Sequence, residues 1–221
     1  NFLKKKNVRK IYTWDDKKNK NNKKKFNLFK KSLDVVDYIV ISPGIKIQKT
    51  KLKLTLSRNK KKIITDLDLF YMQKISVKSI VITGTNGKST TCKLMQHIFK
   101  TNRLDVQLGG NIGKPILDLK IGRKTVVIIE ASSFQLAYTK FIKPTLAVIL
   151  NITSDHLDWH NTITNYENSK FQIFSKQDGN DIALLNNAKL IKLFKKKNYL
   201  KKLIIVKKNT LNSAIKKKIT N

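Results

Sequence analysis

The chain has 221 residues, 40% of them hydrophobic, which is enough to bury the core of one large domain or of two modest ones. Its formal net charge of +33 would suit an anionic partner, but no RNA-binding or zinc-finger motif accompanies it, so we expect no specific nucleic acid. The one cysteine, Cys92, excludes a disulfide within the chain, and no apolar run reaches the roughly 18 residues of a membrane-spanning helix, which favours a cytoplasmic protein without a membrane partner.

Apolar runs typical of strands alternate along the chain with amphipathic patterns typical of helices. In chain order, strands are predicted at residues 8–14, 38–41, 79–82, 125–129, 146–150, 182–185 and 203–206. Helices are predicted at residues 89–100, 165–175 and 188–195. Buried strands that alternate with helices are typical of a mostly parallel sheet covered on both faces, so we expect an α/β fold.

A change of pattern near residues 73–78 indicates a domain boundary. Before it lie two predicted strands, a Ser-Pro-Gly turn that ends at Gly44, and a Lys-rich stretch. After it a new strand leads directly into a glycine-rich loop, as nucleotide-binding domains typically begin. We therefore divide the chain into an N-terminal domain, residues 1–75, and a nucleotide-binding domain, residues 76–221.

The glycine-rich loop has the composition of a phosphate-binding loop. Its residues are Thr83, Gly84, Thr85, Asn86, Gly87, Lys88, Ser89 and Thr90. Glycines let backbone N–H groups face phosphates, and the N-terminus of the following helix adds positive potential. We expect residues 84–90 to bind ATP, with Lys88 on its β- and γ-phosphates and Ser89 on magnesium. The spacing is shorter than in the usual phosphate loop, because Ile82 stands where the first glycine is expected.

Other side chains suited to chemistry follow two more predicted strands. Glu130 ends the strand at residues 125–129, and ligands of parallel sheets bind at the carboxyl ends of strands, so Glu130 is expected to bind magnesium. His156 and His160 stand four residues apart, a spacing that zinc enzymes also use. Leu157 occupies the place of the catalytic Glu of such enzymes, and no third ligand is evident, which argues against zinc.

Five segments together resemble the Mur ligase family and its folylpolyglutamate synthase relatives. They are TGTNGKST at residues 83–90, GGNIG at 109–113, EASSFQL at 130–136, NITSDHLDWH at 151–160 and YENSKFQIF at 166–174. The EASSFQL segment is most similar to the D-glutamate-adding branch of the family. Ala131, Ser154 and Trp159 depart from the family pattern.

The resemblance implies a fold, a reaction and cofactors. The fold is a Rossmann-like, UDP-binding N-terminal domain followed by a central domain similar to P-loop NTPases, with a mostly parallel sheet. The reaction is the ATP-dependent addition of D-glutamate to UDP-N-acetylmuramoyl-L-alanine in peptidoglycan-precursor synthesis, through an acyl phosphate. The enzyme would be a cytoplasmic monomer that uses magnesium. A sister amino-acid ligase, a phosphate-loop kinase or GTPase, and a basic nucleic-acid-binding protein remain alternatives.

The resemblance also implies roles for individual residues. Ser89 and Glu130 would hold one magnesium ion, and His156 and a carbamylated Lys170 a second, while Lys88 contacts the nucleotide. The substrate would contact Asn111, Ser132, Ser133, Gln135 and His156, with Asp15, Asp16 and Gly44 near its uridine end. Because the chain lacks an initiating Met and nothing after Val206 resembles the family's closing domain, we expect a fragment that is inactive alone.

Overall fold

The computed structural model describes residues 3, 6, 8–15, 22–73, 77–199 and 202–206. Its strands are β1 (Ile39–Val40), β2 (Ile63–Ile64), β3 (Lys78–Thr83), β4 (Val106–Gly110), β5 (Val126–Glu130), β6 (Leu146–Ile149), β7 (Ile182–Leu185) and β8 (Lys202–Ile205). Its α-helices are α1 (Lys23–Val35), α2 (Lys53–Arg58), α3 (Asp66–Tyr71), α4 (Lys88–Thr101), α5 (Ser133–Tyr138), α6 (Leu157–His160), α7 (Ile163–Phe171) and α8 (Ala188–Lys196). Short 3-10 turns lie at Ile47–Lys49, Lys60–Lys62, Ile116–Asp118 and Gln172–Phe174. Within these described ranges, no helix has the length and apolar character needed to span a membrane.

Six of the described strands form one parallel sheet in the order β4-β5-β3-β6-β7-β8. In this register Ile82 of β3 lies beside Glu130 of β5 on one side and Val148 of β6 on the other. β3 and β5 carry Val or Ile at most positions, as strands covered on both faces do. The predicted α/β class and the predicted parallel sheet are confirmed.

Helices cover both faces of this sheet. On one face α4, with Cys92 fully buried, packs against Ile80, Ile82 and Ile128. On the other face a larger apolar cluster joins strands and helices through Val81, Ile129, Phe171, Phe174 and Phe194. Successive residues of each strand face opposite clusters, so burial on both sides holds the sheet and leaves its carboxyl edge to carry loops.

The residues before β3 form a smaller layer. β1 and β2 pair in parallel, and Leu33 of α1 and Leu56 of α2 are buried in one cluster with Ile39 and Ile63. α1 begins after Asn22, whose side-chain oxygen accepts a hydrogen bond from the third backbone N–H that follows, a typical N-terminal cap.

Three sequence-based expectations for secondary structure need correction. The strand predicted at residues 8–14 is wrong, because residues 8–15 have no strand conformation. Instead Trp14 packs on Phe26 and Phe29, at ring-centroid distances of 5.1 and 5.6 Å. These two aromatics belong to α1, a helix not predicted within its Lys- and Asn-rich run. The strand predicted at 38–41 is shortened to β1, and the glycine-rich loop at 109–113 begins inside β4.

The predicted boundary between the two domains is not tested by the structure. The boundary between residues 75 and 76 lies outside the described residues, and the Rossmann-like N-terminal domain stays a prediction. The two parts nevertheless meet at the buried Asp68 carboxylate, which accepts hydrogen bonds from Lys140 N at 2.8 Å and Phe141 N at 2.7 Å. Burial raises the pKa of Asp68, and these donors oppose that rise.

Candidate functional site

The loop between β3 and α4 lies at the carboxyl edge of the sheet. Gly87, the residue before α4, has φ 82°, a left-handed conformation that glycine adopts without steric cost. The first N–H groups of an α-helix have no partner within the helix, so the start of α4 offers donors to an anion. The local geometry therefore suits the predicted phosphate loop.

Asn151, which follows β6, fixes this loop from the neighbouring strand. Its carbonyl oxygen accepts from Thr85 N at 3.0 Å, and its Oδ1 accepts from Asn86 N at 2.9 Å. Its Nδ2 in turn donates to Asn86 O at 3.0 Å. Three hydrogen bonds to one residue hold the loop in a defined shape before any ligand arrives.

Two lysines donate hydrogen bonds to the same loop. Lys88 Nζ donates to Gly84 O at 3.0 Å and to Thr85 O at 2.8 Å. Lys170 Nζ, from α7, donates to Gly84 O at 2.8 Å. Lys170 is 1% exposed, and this burial, followed by the charge of Lys88, lowers the pKa of Lys170 to about 7, while Asp155 acts in the opposite sense. Its amine is therefore readily uncharged near neutral pH.

Glu130 lies at the end of β5, next to β3, and is 1% exposed. Its Oε2 accepts a hydrogen bond from Ser89 Oγ at 2.7 Å, and its Oε1 accepts from Asn111 Nδ2 at 2.9 Å. Asn111 reaches it because Gly110 has φ 105° and lets the two backbones approach: a Cβ there would lie 2.4 Å from Glu130 O. The structure thus brings together Ser89, Glu130 and Asn111.

The residues around Glu130 fit a magnesium ion. The Ser89 hydroxyl and the Glu130 carboxylate already touch, and both are the hard oxygen donors that magnesium prefers. The Lys88 ammonium, on the adjoining loop, is suited to the phosphates of a nucleotide rather than to the metal.

The residues predicted for a second ion gather around Tyr166. The His156 ring lies 6.4 Å from the Tyr166 ring, and Lys170 Nζ lies 4.6 Å from its centre. The Tyr166 hydroxyl and Thr85 Oγ1 share a hydrogen bond of 3.1 Å, which ties α7 to the phosphate loop. His156 itself is half-exposed, with Nε2 3.4 Å from Asp155 Oδ2.

His160 has different surroundings from His156. It is buried, and its Nε2 shares a hydrogen bond of 3.0 Å with Ser133 Oγ. Burial, followed by the charge of Lys170, lowers the pKa of His160 to about 4, so its ring is neutral. Among the described residues, no group of three His, Cys, Asp or Glu side chains is placed to hold a metal.

Three residues predicted to line the substrate are used within the fold. Ser132 and Gln135 form a reciprocal cap at the start of α5, with Ser132 N donating to Gln135 Oε1 at 3.1 Å. Gln135 Nε2 also donates to Asp66 Oδ2 at 3.3 Å, and Ser133 is bonded to His160. A helix cap, one buried contact and one partly buried contact occupy these groups, so their contact with substrate stays a prediction.

The remaining predicted residues that the structure describes have no contact with Glu130 or Lys170. Thr90 is exposed on the first turn of α4, and Asp15 is exposed near the start of the chain. Gly44 has open space around it, with nothing within 4 Å of an added Cβ, and its carbonyl oxygen accepts from Trp159 Nε1 at 3.3 Å. Asp16 lies outside the described residues.

Comparison with known protein families identifies the family of this chain. The Mur ligase middle domain model matches residues 82–221. The chain belongs to the Mur ligase family.

Relatives within the family agree with this assignment. The chain is 42% identical over 151 residues to the UDP-N-acetylmuramoylalanine--D-glutamate ligase of Rickettsia prowazekii, and 40% identical over 152 residues to that of Geobacter metallireducens. Each match covers 68% of this chain. The matched part spans about a third of the length of these relatives, 34% and 33%.

Solved Mur ligase structures share the fold. MurF ligase from Thermotoga maritima, determined in complex with ADP, aligns with a TM-score of 0.51 and 18% identity over 79% of this chain and 51% of that one. The UDP-N-acetylmuramate:L-alanyl-gamma-D-glutamyl-meso-diaminopimelate ligase from Neisseria meningitides aligns with a TM-score of 0.51 and 15% identity, over 89% of this chain and 67% of that one.

Sequence reasoning missed several residues of this Mur ligase site. Asn151 has no predicted role within the NITSDHLDWH segment, although a polar residue directly after a buried strand indicates the carboxyl edge of a sheet. Tyr166 stands in the YENSKFQIF segment, where nothing indicates its hydrogen bond with Thr85. Nothing in the sequence indicates that Lys46 Nζ donates to Asp158 O in α6, at 2.8 Å. Those contacts depend on chain segments that are far apart in sequence.

Proposed function

We propose that this chain is the nucleotide-binding part of an ATP-dependent ligase that adds D-glutamate to UDP-N-acetylmuramoyl-L-alanine. The observation that carries the proposal is the hydrogen bond of 2.7 Å between Ser89 Oγ and Oε2 of the buried Glu130, beside the phosphate loop and Lys88. The relatives named for this reaction supply the substrates, and the Thermotoga maritima structure with ADP supports the nucleotide.

The proposed reaction has two steps. The terminal carboxylate of UDP-N-acetylmuramoyl-L-alanine attacks the γ-phosphorus of ATP, which forms an acyl phosphate and releases ADP. The amine of D-glutamate then attacks the acyl carbon, loses a proton and expels phosphate, which leaves an amide. Several negative charges must approach one another in the first step, so stabilisation is mainly electrostatic.

The residues of this chain bind and orient the anionic groups. Backbone N–H groups at the start of α4 and the Lys88 ammonium bind the phosphates, while the three hydrogen bonds between Asn151 and the loop, which use the N–H groups of Thr85 and Asn86, keep the loop in shape. A preformed loop needs little rearrangement when charge moves from ATP to the acyl phosphate, which is the main requirement for electrostatic catalysis.

Ser89 and Glu130 would hold one magnesium ion, which supplies positive charge to the phosphates. His156 and Lys170 would hold a second after Lys170 becomes a carbamate. Formation of the carbamate joins the uncharged amine nitrogen of Lys170 to the carbon of carbon dioxide, with loss of one proton. The pKa of about 7 supports this step, because the uncharged amine is the reactive form.

Residues from both parts of the chain would contact the UDP-linked substrate. Asp15, Asp16 and Gly44 would lie near the uridine end of the substrate, and Asn111, Ser132, Ser133 and Gln135 near its acyl end. A substrate that carries UDP is made in the cytoplasm, so we place the enzyme there, acting as a monomer.

The test is an assay of the full-length protein that carries this chain. With ATP, magnesium and UDP-N-acetylmuramoyl-L-alanine, phosphate release should depend on D-glutamate and not on L-glutamate, L-lysine or D-alanyl-D-alanine. Release driven by one of the other amino acids would identify a sister ligase. ATP hydrolysis independent of any amino acid, or no ATP turnover, would reject the ligase reaction.

A further inference from the structure

α6 is a single helical turn next to the site, and it carries signs of strain. The residues at its two ends, His156 and Asn161, are not glycines, yet they have φ 50° and φ 67°. L-residues rarely adopt such values, and they persist where the surrounding structure imposes them. One helical turn is also too short to be stable alone. Contacts from outside the turn must therefore hold it.

Besides the hydrogen bonds of His160 with Ser133 and Asn165, contacts that hold α6 come from the loop at residues 42–47, more than a hundred residues earlier in the chain. Lys46 Nζ donates to Asp158 O and to Asn161 Oδ1, both at 2.8 Å. Trp159 Nε1 donates to Gly44 O at 3.3 Å. We call these three hydrogen bonds the α6 latch. Lys46 satisfies a carbonyl that has no helical partner, and it also holds the side chain at the strained C-terminal end.

Aromatic packing connects the α6 latch to His156. The Trp159 ring contacts Phe134 and Tyr138, at centroid distances of 5.1 and 5.6 Å. Phe134 in turn contacts the His156 ring at 4.8 Å. The Tyr138 hydroxyl accepts from Ile47 N at 3.4 Å, which closes the connection back to the same loop. The loop at residues 42–47 and the His156 ring therefore rest on one set of aromatic side chains.

We propose that Lys46 and Trp159 are positioning residues, which hold α6 so that the His156 ring stays in place beside Tyr166 and the phosphate loop. The role assigned to His156 in catalysis rests on the proposed function. The α6 latch joins the loop at residues 42–47 to α6, which begins directly after His156. A ligand that orders this loop therefore also orders His156. The indole N–H of Trp159 supplies one of the three bonds.

The test compares variants of the full-length protein. Lys46→Met removes the ammonium but keeps the aliphatic length, and Trp159→Phe removes the N–H but keeps an aromatic ring. Lys46→Arg keeps a hydrogen-bond donor at this position and should behave nearly as the wild type does. Lys49→Met is the matched control, because Lys49 is exposed in the next turn. Melting temperatures identify any variant that fails to fold.

Two structural readouts do not depend on ligase activity. In Lys46→Met, hydrogen exchange of the backbone amides of residues 159–161 should accelerate at least about tenfold, since they are bonded within the turn. The NMR signals of the His156 ring, identified by their loss in His156→Gln, should move as the ring-current effect of Phe134 weakens. Both should stay as in the wild type in Lys49→Met.

The outcomes are distinct. Accelerated exchange together with a moved His156 signal supports the proposal, and kcat should then fall about tenfold with the KM for ATP within about twofold. Unchanged exchange overturns the latch. Accelerated exchange with an unmoved His156 signal, or with unchanged kcat, overturns the positioning role. If the wild-type protein has no ligase activity, the proposed function fails while exchange and NMR still decide the structural claim.

Discussion

Lys88 and Lys170 share one hydrogen-bond acceptor, the carbonyl oxygen of Gly84, with Nζ–O distances of 3.0 and 2.8 Å. One lysine belongs to the loop itself and the other to α7, so the shared carbonyl joins two halves of the site. The charge of Lys88 is, after burial, a cause of the low pKa of Lys170. The loop thus carries the Lys88 amine, which we propose binds phosphates, beside a second amine that is easily uncharged.

Lys88→Ala should lower kcat of the full-length enzyme by at least about a thousandfold, because the ammonium that neutralises the phosphates is lost. The fold should stay intact, since Lys88 Nζ contacts only carbonyl oxygens of its own loop. D-glutamate-dependent phosphate release and the melting temperature measure the two effects. Lys93→Ala, an exposed lysine on the same helix, is the control. ATP turnover at the wild-type rate in Lys88→Ala would contradict the assignment of the phosphate loop.

Lys170→Ala should be inactive, and millimolar acetate or formate should restore part of the activity. The reason is that a small carboxylate can replace the carbamate as an anionic ligand in the cavity left by the side chain. Phosphate release with and without the added acid measures the rescue. Lys176→Ala, which changes an exposed lysine just after α7, should be unaffected. Full activity of Lys170→Ala without added acid would contradict a role of Lys170 as a metal ligand.

Gly110→Ala should destabilise the protein by about 2 kcal/mol or more, because the site combines a positive φ with a close backbone contact. An added Cβ would lie 2.4 Å from Glu130 O, and relief of that clash would move Asn111 away from Glu130. Chemical unfolding measures the loss. Gly179→Ala is the control, since nothing lies within 4 Å of its added Cβ. Equal stability of the two variants would show that the backbones of β4 and β5 can move apart at Gly110 without a loss of stability.

His160 should make the protein less stable in mild acid. Its pKa of about 4 lies below the value of 6.5 for an unperturbed histidine, so the unfolded chain binds this proton more readily than the folded one. The free energy of unfolding should therefore fall as the pH falls from about 6.5 to about 4, by at most about 3 kcal/mol from this group. Urea unfolding of the wild type and of His160→Gln across this range isolates the effect. Parallel pH profiles for the two proteins would contradict a buried, neutral His160.

Local patterns in the sequence were sufficient for the fold class and for the family. Apolar runs with a period of two or with continuous Val and Ile identify buried strands, and a glycine-rich loop between a strand and a helix has few alternatives. The family segments were recognised for the same reason, since each lies within about ten neighbouring residues. Where the local signal was mixed, prediction failed: Trp14 lies in an apolar run, but it packs on α1 instead of joining a sheet.

Tertiary structure alone decided which of these residues meet. Glu130 receives Ser89 from one side and Asn111 from the other because β5 lies beside both β3 and β4, an order that no local pattern encodes. Lys46 reaches α6 across more than a hundred residues for a similar reason. Hydrophobic periodicity specifies which face of an element is buried, whereas partners across the fold depend on how the buried faces pack together, and burial itself then lowers the pKa of Lys170.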